Sequence, residues 1–348
     1  MARVKYSSIL IFTNQLSAMI SAKLPLGRIL DSLSRESLNR QLLNIIRKIK
    51  DDVESGVDFG VAVAKHPKAF DAIYVNMIKA GMATGRLDVT LKQLSEYMEK
   101  SAVTKSKVRS ATAYPIFMIG FLIFTAMIMV FKILPMFEKL FAGFGNELPV
   151  PTQIFLKIAD IITTYYPVGI FFMGVIIALA LYFLKTPGGR VTWDRYKLSI
   201  PLFGDLMKKA ALAKFLRTFA TLTQSEVPIL DSLSLVSTSG DNKYLEYRIN
   251  QASEMIERGM SINDAFRKTG FFPETVMQMI TSGEETGSLD ELLISAANFY
   301  DDQVDEAIKS MTALINPVLT VIIGGTISMM MIALFLPIFD IGSTIGRR

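Results

Sequence analysis

Apolar and polar positions follow two different patterns along this chain. From about residue 8 to 112, and again from 209 to 310, apolar side chains recur at helical spacing with charged residues between them. The first stretch predicts helices over 8–22, from Pro25 onward, over 38–55, 58–65 and 71–83, and from Leu87 onward. Leu42, Leu43, Ile45, Ile46, Ile49 and Val53 form one apolar face of the third helix, Gly56 ends it, and Asp58 is placed to cap the fourth. Pro25 suits a first helical turn, where its missing N–H costs nothing. The second stretch repeats the scheme, with helices over 209–226, 228–239, 243–258, 261–268 and 273–282 and from Leu289 onward. The other pattern is unbroken apolarity. Residues 116–134 carry one charge, Lys132, while 161–184 and 311–339 carry none. A hydrocarbon core of roughly 30 Å takes about 20 helical residues, so three transmembrane helices are expected. Lys132 lies near the end of its stretch and can extend its ammonium towards the headgroups.

The two patterns are linked by duplication. Met77-Ile78-Lys79-Ala80-Gly81-Met82-Ala83-Thr84-Gly85-Arg86-Leu87-Asp88 returns as Met279-Ile280-Thr281-Ser282-Gly283-Glu284-Glu285-Thr286-Gly287-Ser288-Leu289-Asp290. Pro25 pairs with Pro228, Gly56 with Gly259 and Phe12 with Phe215 at one offset (228 − 25 = 203). After a one-residue slip near Phe70 and Phe272, Pro115 pairs with Pro317, and Leu134-Pro135-Met136-Phe137 with Leu336-Pro337-Ile338-Phe339 (317 − 115 = 202). An ordered series at nearly constant offset is the mark of a repeated structural unit. Gly81 and Gly283 suit the left-handed position just past a helix, Gly85 and Gly287 let the chain reverse, and Ser288 with Glu291 has capping-box spacing. Tyr114-Pro115 and Asn316-Pro317 mark matching junctions, where a break or bend would set the angle at which each helix meets the membrane.

Basic residues near the apolar blocks set the orientation. Lys100, Lys105, Lys107 and Arg109 precede the first block and Lys185, Arg190, Arg195 and Lys197 follow the second, whereas only Lys139 and Lys157 lie between them. The reading is all-α and polytopic: a cytoplasmic helical bundle over 1–112, spans over 113–135, 161–184 and 311–339, a short periplasmic loop over 136–160, a second cytoplasmic six-helix bundle over 185–310, and a periplasmic tail over 340–348. No N-terminal export signal is visible, since Ile9-Leu10-Ile11-Phe12 is short and Thr13-Asn14-Gln15 interrupts it. The composition agrees: hydrophobic residues make up 51% and mean hydropathy is +0.37. The net charge of +5 is accounted for by the lysines and arginines beside the spans, which leaves a nucleic-acid partner nothing to explain.

Catalytic parts are scarce. There is no cysteine and a single histidine, His66, beside Pro67 in an expected exposed loop, so triads and ordinary zinc sites lack components and no cofactor is expected. The glycine corners are not phosphate loops, because no Lys-Ser or Lys-Thr follows. Asp51-Asp52, Asp290-Glu291 and Asp301-Asp302 read as solvated helix faces or helix starts. Glu284-Glu285 stands apart, because it occupies a tight corner where the first copy has Met82-Ala83, and it is the candidate partner-docking point. A small transporter is the competing reading, yet the spans offer a polar pathway chiefly Thr125, Thr320, Thr326 and Ser328.

Phe12-Thr13-Asn14-Gln15-Leu16 with Leu24-Pro25-Leu26, Ala113-Tyr114-Pro115, the stretch from Phe272-Pro273-Glu274-Thr275 to Gly287-Ser288-Leu289, and Leu336-Pro337-Ile338-Phe339 together resemble the inner-membrane platform proteins of type II secretion systems and type IV pili. The resemblance covers almost the whole chain, twice over. It implies a non-enzymatic, oligomeric protein of the bacterial inner membrane that passes the motion of a cytoplasmic hexameric ATPase to pilin or pseudopilin subunits, alongside other inner-membrane assembly proteins. The sequence departs from the family in beginning close to the first helical unit, without the longer N-terminal extension common there. That compact form is more like the platforms of some type IV pilus systems.

Overall fold

A computed structural model describes residues 4–36, 39–133, 135–136, 150–201, 203–240 and 242–345. All regular structure among them is helical. The first series is α1 (Tyr6–Ser21), α2 (Leu26–Glu36), α3 (Arg40–Glu54), α4 (Phe59–Ala64), α5 (Ala72–Ala83) and α6 (Leu87–Ile128), which passes into a π-helical turn at Met129–Ile133. Then follow α7 (Val150–Lys185) and α8 (Pro187–Lys197). The second series is α9 (Phe203–Gln224), α10 (Ile229–Ser239), α11 (Lys243–Glu257), α12 (Ile262–Thr269), α13 (Glu274–Thr286) and α14 (Leu289–Ile345). The chain forms two compact units, Met1–Lys107 with Arg190–Ala307, and Val108–Gly189 with Ile308–Arg348.

The first unit is held by two similar cores. Phe12 lies 6.0 Å from Phe70, which lies 4.6 Å from Tyr74. In the second series Phe215, the match of Phe12, lies 5.1 Å from Phe272, the match of Phe70, and Phe272 lies 4.6 Å from Phe266, which stands where the first copy has Val63. Every one of these rings is buried. Burial of a ring of this size stabilises by about 1.5–3 kcal/mol, so the register read from the sequence is also a register of core contacts. Burial pushes the Tyr74 phenol well above its usual range, which keeps it a neutral partner for the Thr13 hydroxyl 3.2 Å away.

The helices start where short polar side chains can satisfy exposed amides. Asn39 takes the amides of Gln41 and Leu42, Asp58 that of Val61, Asp71 that of Tyr74, Asn242 that of Leu245 and Ser261 that of Asp264. Pro25 and Pro228 each sit one residue ahead of their helix, at the cap rather than in the first turn, and their carbonyls accept from Ile29 (3.1 Å) and Ser232 (2.8 Å). Left-handed backbone recurs in register: Lys23 (φ 59°) with Glu226 (61°), Gly56 (91°) with Gly259 (89°), and Gly85 (67°) with Gly287 (71°). Gly270 (65°) has no partner in that series. It ends α12, which is longer than α4, and this trade of a loop for a helical turn accounts for the one-residue slip.

The second unit leaves its apolar side chains outward, among them Ile116, Phe117, Phe171, Tyr182 and Val321. Among the described residues two helices can cross a membrane by length and composition, Leu87–Ile133 and Leu289–Ser328, and a third counts only if Phe171–Lys185 is taken together with the helix after its bend. Pro115 and Pro317 both lie inside continuous helices, so neither junction is a break. The π turn carries Lys132, whose side chain is exposed. Leu134 and residues 137–149, with Phe137, Glu138, Lys139 and Glu147, lie outside the described residues, as does the end of the tail at 346–348.

Candidate functional site

The glycine corners join α5 to α6 and α13 to α14. Their paired glycines divide the work differently from the expectation. Gly81 and Gly283 are not past the helix end; both are helical and buried. A Cβ on Gly81 would stand 2.8 Å from the Cβ and Oγ1 of Thr90, and one on Gly283 would stand 2.8 Å from the Cα of Leu289. They are the points where one helix passes against the start of the next. Gly85 and Gly287 take the left-handed conformation alone, and at the first corner the amide of Arg86 returns to the carbonyl of Gly81 at 2.9 Å. The expected Ser288–Glu291 capping box is replaced by a contact of 2.6 Å between the hydroxyls of Ser288 and Thr286.

Glu284 and Glu285 are both exposed, but their surroundings differ. The Glu284 carboxylate accepts from the amides of Ile262 (3.0 Å) and Asn263 (3.2 Å), while Ser261 takes that of Asp264 (3.1 Å). Three of the four open donors at the start of α12 are thereby satisfied, and a negative charge sits at the positive end of the helix. Glu284 is therefore a cap supplied from 22 residues away. Among the described residues no hydrogen bond or ion pair ties Glu285, which leaves its charge available at the corner. The first copy has Met82 at the position of Glu284, and there the stem of Lys79 lies over Gly60 in the equivalent helix, α4.

Polar contacts join the two series within the first unit. Arg86 pairs with Glu226 at 3.0 Å, Gln93 with Ser225 at 2.9 Å, Tyr97 with Thr218 at 3.3 Å, Thr104 with Asp301 at 3.1 Å, and Lys107 with Asp305 at 2.7 Å. Asp301 also binds Arg217, so this acid is a half-buried junction rather than a solvated face. The exposed Arg86–Glu226 pair contributes only about 0–1 kcal/mol. His66 is half-buried rather than exposed; burial and the nearby Lys48 hold its imidazole below the usual range, and its Nε2 is buried without a hydrogen-bond partner among the described residues. No cluster of three acidic or histidine side chains among the described residues has the closeness a metal ion needs. In the second unit, the Thr125, Thr320 and Thr326 hydroxyls each donate to the carbonyl one turn back, at 2.7–2.9 Å.

Residues 12–135 and 215–337 each match the family described as Type II secretion system (T2SS), protein F. The chain belongs to that family. The two matches begin 203 residues apart (215 − 12) and end 202 apart (337 − 135), the offsets of the glycine, proline and phenylalanine pairs. The type IV pilus assembly protein PilC of Myxococcus xanthus is 40% identical over 98% of this chain and 82% of its own length. PilC of Thermus thermophilus is 35% identical over 97% and 83%. The type II secretion system protein F of Vibrio cholerae is 25% identical over 97% and 83%. The corners at 81–87 and 283–289 and both junction prolines fall inside the family matches, so the positions that shape this chain's backbone belong to the region it shares with the family.

Proposed function

We propose that this chain is the inner-membrane platform of a type IV pilus or type II secretion assembly machine, with no catalytic role of its own. The doubled family match supports this most directly, joined to relatives named for pilus assembly at up to 40% identity over nearly the full chain. The finer reading has three spans, at 113–135, 161–184 and 311–339, two six-helix bundles at 1–112 and 185–310 in the cytoplasm, and the 136–160 loop and 340–348 tail in the periplasm. The excess of lysine and arginine beside 100–109 and 185–197 supports that orientation. In this arrangement the bundles receive the motion of a cytoplasmic hexameric ATPase, the spans meet the apolar helices of pilins or pseudopilins, and the platform works as a homo-oligomer with other inner-membrane assembly proteins.

A transport pathway finds little support, since the Thr125, Thr320 and Thr326 hydroxyls are spent on their own helices. Deletion of the gene is expected to abolish surface filaments or secreted product; intact filaments with a specific uptake defect would overturn the platform reading. Glu285→Lys is expected to weaken ATPase binding while the protein accumulates normally in the membrane, and unchanged binding would remove Glu285 as the docking point. Because the chain has no cysteine, single introduced cysteines at 5, 160 and 345 report each side of the membrane cleanly.

A further inference from the structure

The segment just after α7 carries a surface that the platform role does not use. α7 ends at Lys185, and α8 begins two residues later at Pro187. The turn between them is tight: the Thr186 hydroxyl donates to the Phe183 carbonyl at 2.6 Å and accepts the Gly189 amide at 3.1 Å. A Cβ at Gly189 would fall 2.1 Å from that same carbonyl, so the turn requires glycine there.

One face of α8 is fixed. Asp194, 4% exposed, accepts the amide of Lys243 at 2.8 Å and the ammonium of Lys197 at 2.9 Å, and its carbonyl accepts from Asn242 at 3.3 Å. This pins the helix to the start of α11 and thereby decides which side chains face away. The outward face carries Trp193 (44% exposed) and Tyr196 (71%), followed just past the helix end by Ile200 (41%), with the exposed Arg190 and Arg195 flanking it, Arg195 also reaching over the Tyr244 ring at 5.6 Å. An aromatic and aliphatic stripe edged by cations has the composition of a helix lying in a bilayer interface, where indole and phenol rings rest at headgroup depth and arginines meet lipid phosphates. Chain continuity supplies the occupant. The helix starts two residues beyond the apolar Phe171–Lys185 stretch and Trp193 follows six residues on, about 9 Å along a helix, so the stripe begins close to the membrane surface.

We propose that residues 187–200 form an interfacial anchor in the cytoplasmic leaflet, with Trp193, Tyr196 and Ile200 inserted at the level of the glycerol backbone and Arg190 and Arg195 on the phosphates of anionic lipids. The anchor rests on the reading of 161–184 as a span.

Trp193 is the only tryptophan of the chain, so the intact protein reports on itself. The full chain is reconstituted in phosphatidylcholine vesicles with and without phosphatidylglycerol. The anchor predicts a blue-shifted emission, loss of most of the signal to lipids brominated near the glycerol end, little loss to aqueous iodide, and a phosphatidylglycerol-dependent part of the shift that disappears in the Arg190→Gln, Arg195→Gln double variant. Quenching by iodide without quenching by brominated lipid overturns the anchor. So does shielding from both, which would mean that protein covers the face. Labelling of a Met173→Cys variant by a membrane-impermeant maleimide separates the two readings. A protected Met173→Cys with water-quenched Trp193 fails the anchor alone, whereas a labelled Met173→Cys fails the span beneath it.

Discussion

Gly283→Ala sets two effects of known size against each other. Inside a helix the change from glycine gains about 1 kcal/mol of propensity. The new carbon, however, would stand 2.8 Å from the Leu289 Cα and 3.2 Å from its Cδ1, whereas carbon atoms rest at about 3.5–4.0 Å. The Cδ1 can swing aside, but the Cα belongs to the first residue of α14 and is held by the left-handed turn at Gly287. The two helices must therefore part by about 0.7 Å where the corner is tightest, and overpacking of this kind costs about 1–3 kcal/mol. The cost wins, and a net loss of about 1 kcal/mol is expected. Thermal unfolding of the purified full chain in detergent should show it as a fall of about 2–4 °C. Gly27→Ala is the control: it is helical, nothing lies within 4 Å of its added carbon, and it should hold or raise the midpoint. A Gly283→Ala protein as stable as the wild type would refute the assignment of Gly283 as a helix-crossing point.

Other positions give separate outcomes. Gly85→Ala and Gly287→Ala force a side chain into left-handed backbone, so each should cost about 1–2 kcal/mol, with asparagine tolerated better; unfolding midpoints of the four proteins test the order. Glu284→Ala should cost about 1 kcal/mol through the lost cap of α12, whereas Glu285→Ala should stay within about 0.5 kcal/mol, and faster amide exchange at Ile262 and Asn263 in the first variant alone would locate the effect. His66 is depressed in the folded protein from 6.5, so the unfolded chain binds its proton first as pH falls. Stability that is full above the unfolded value should drain as pH drops through it towards the folded one, and His66→Gln should shrink the difference between midpoints measured at about pH 7.5 and about pH 5.5.

Much of the fold is written locally. Asp58, Asp71 and Ser261 begin helices by bonding amides three residues on, and Gly56 and Gly259 end them, so spacing alone finds these boundaries within a residue or two. The corner was harder, because Gly81 and Gly85 look alike in sequence. Which one bears the positive φ depends on where α5 stops, and Met82 and Ala83 continue the helix past Gly81. Glu284 reads as a free acid because its partners are the amides of a helix 22 residues earlier, a relation that only the folded chain creates. α8 was missed for another reason. Pro187-Gly188-Gly189 carries the signature of a loop, and the signal that could have found it is the three-residue spacing of Trp193 and Tyr196 with Asp194 on the opposite face.

The polar seam within the first unit has a consequence for anyone who would redesign this protein from its own repeats. Averaging the copies of a repeat into a consensus commonly stabilises, because each position keeps the residue that suits the shared backbone. Here that would serve the phenylalanine cores. It would fail at the seam, where the copies have diverged into partners: Arg86 and Glu226 correspond to Ser288 and Lys23, and Lys107 and Asp305 to Lys309 and Val103. Thr104 and Asp301 correspond to Glu306 and Glu99, two like charges. The copies share a backbone register inside and complement each other along the seam, so a chain with its copies made identical would lose these cross-pairs and set like charges against each other there.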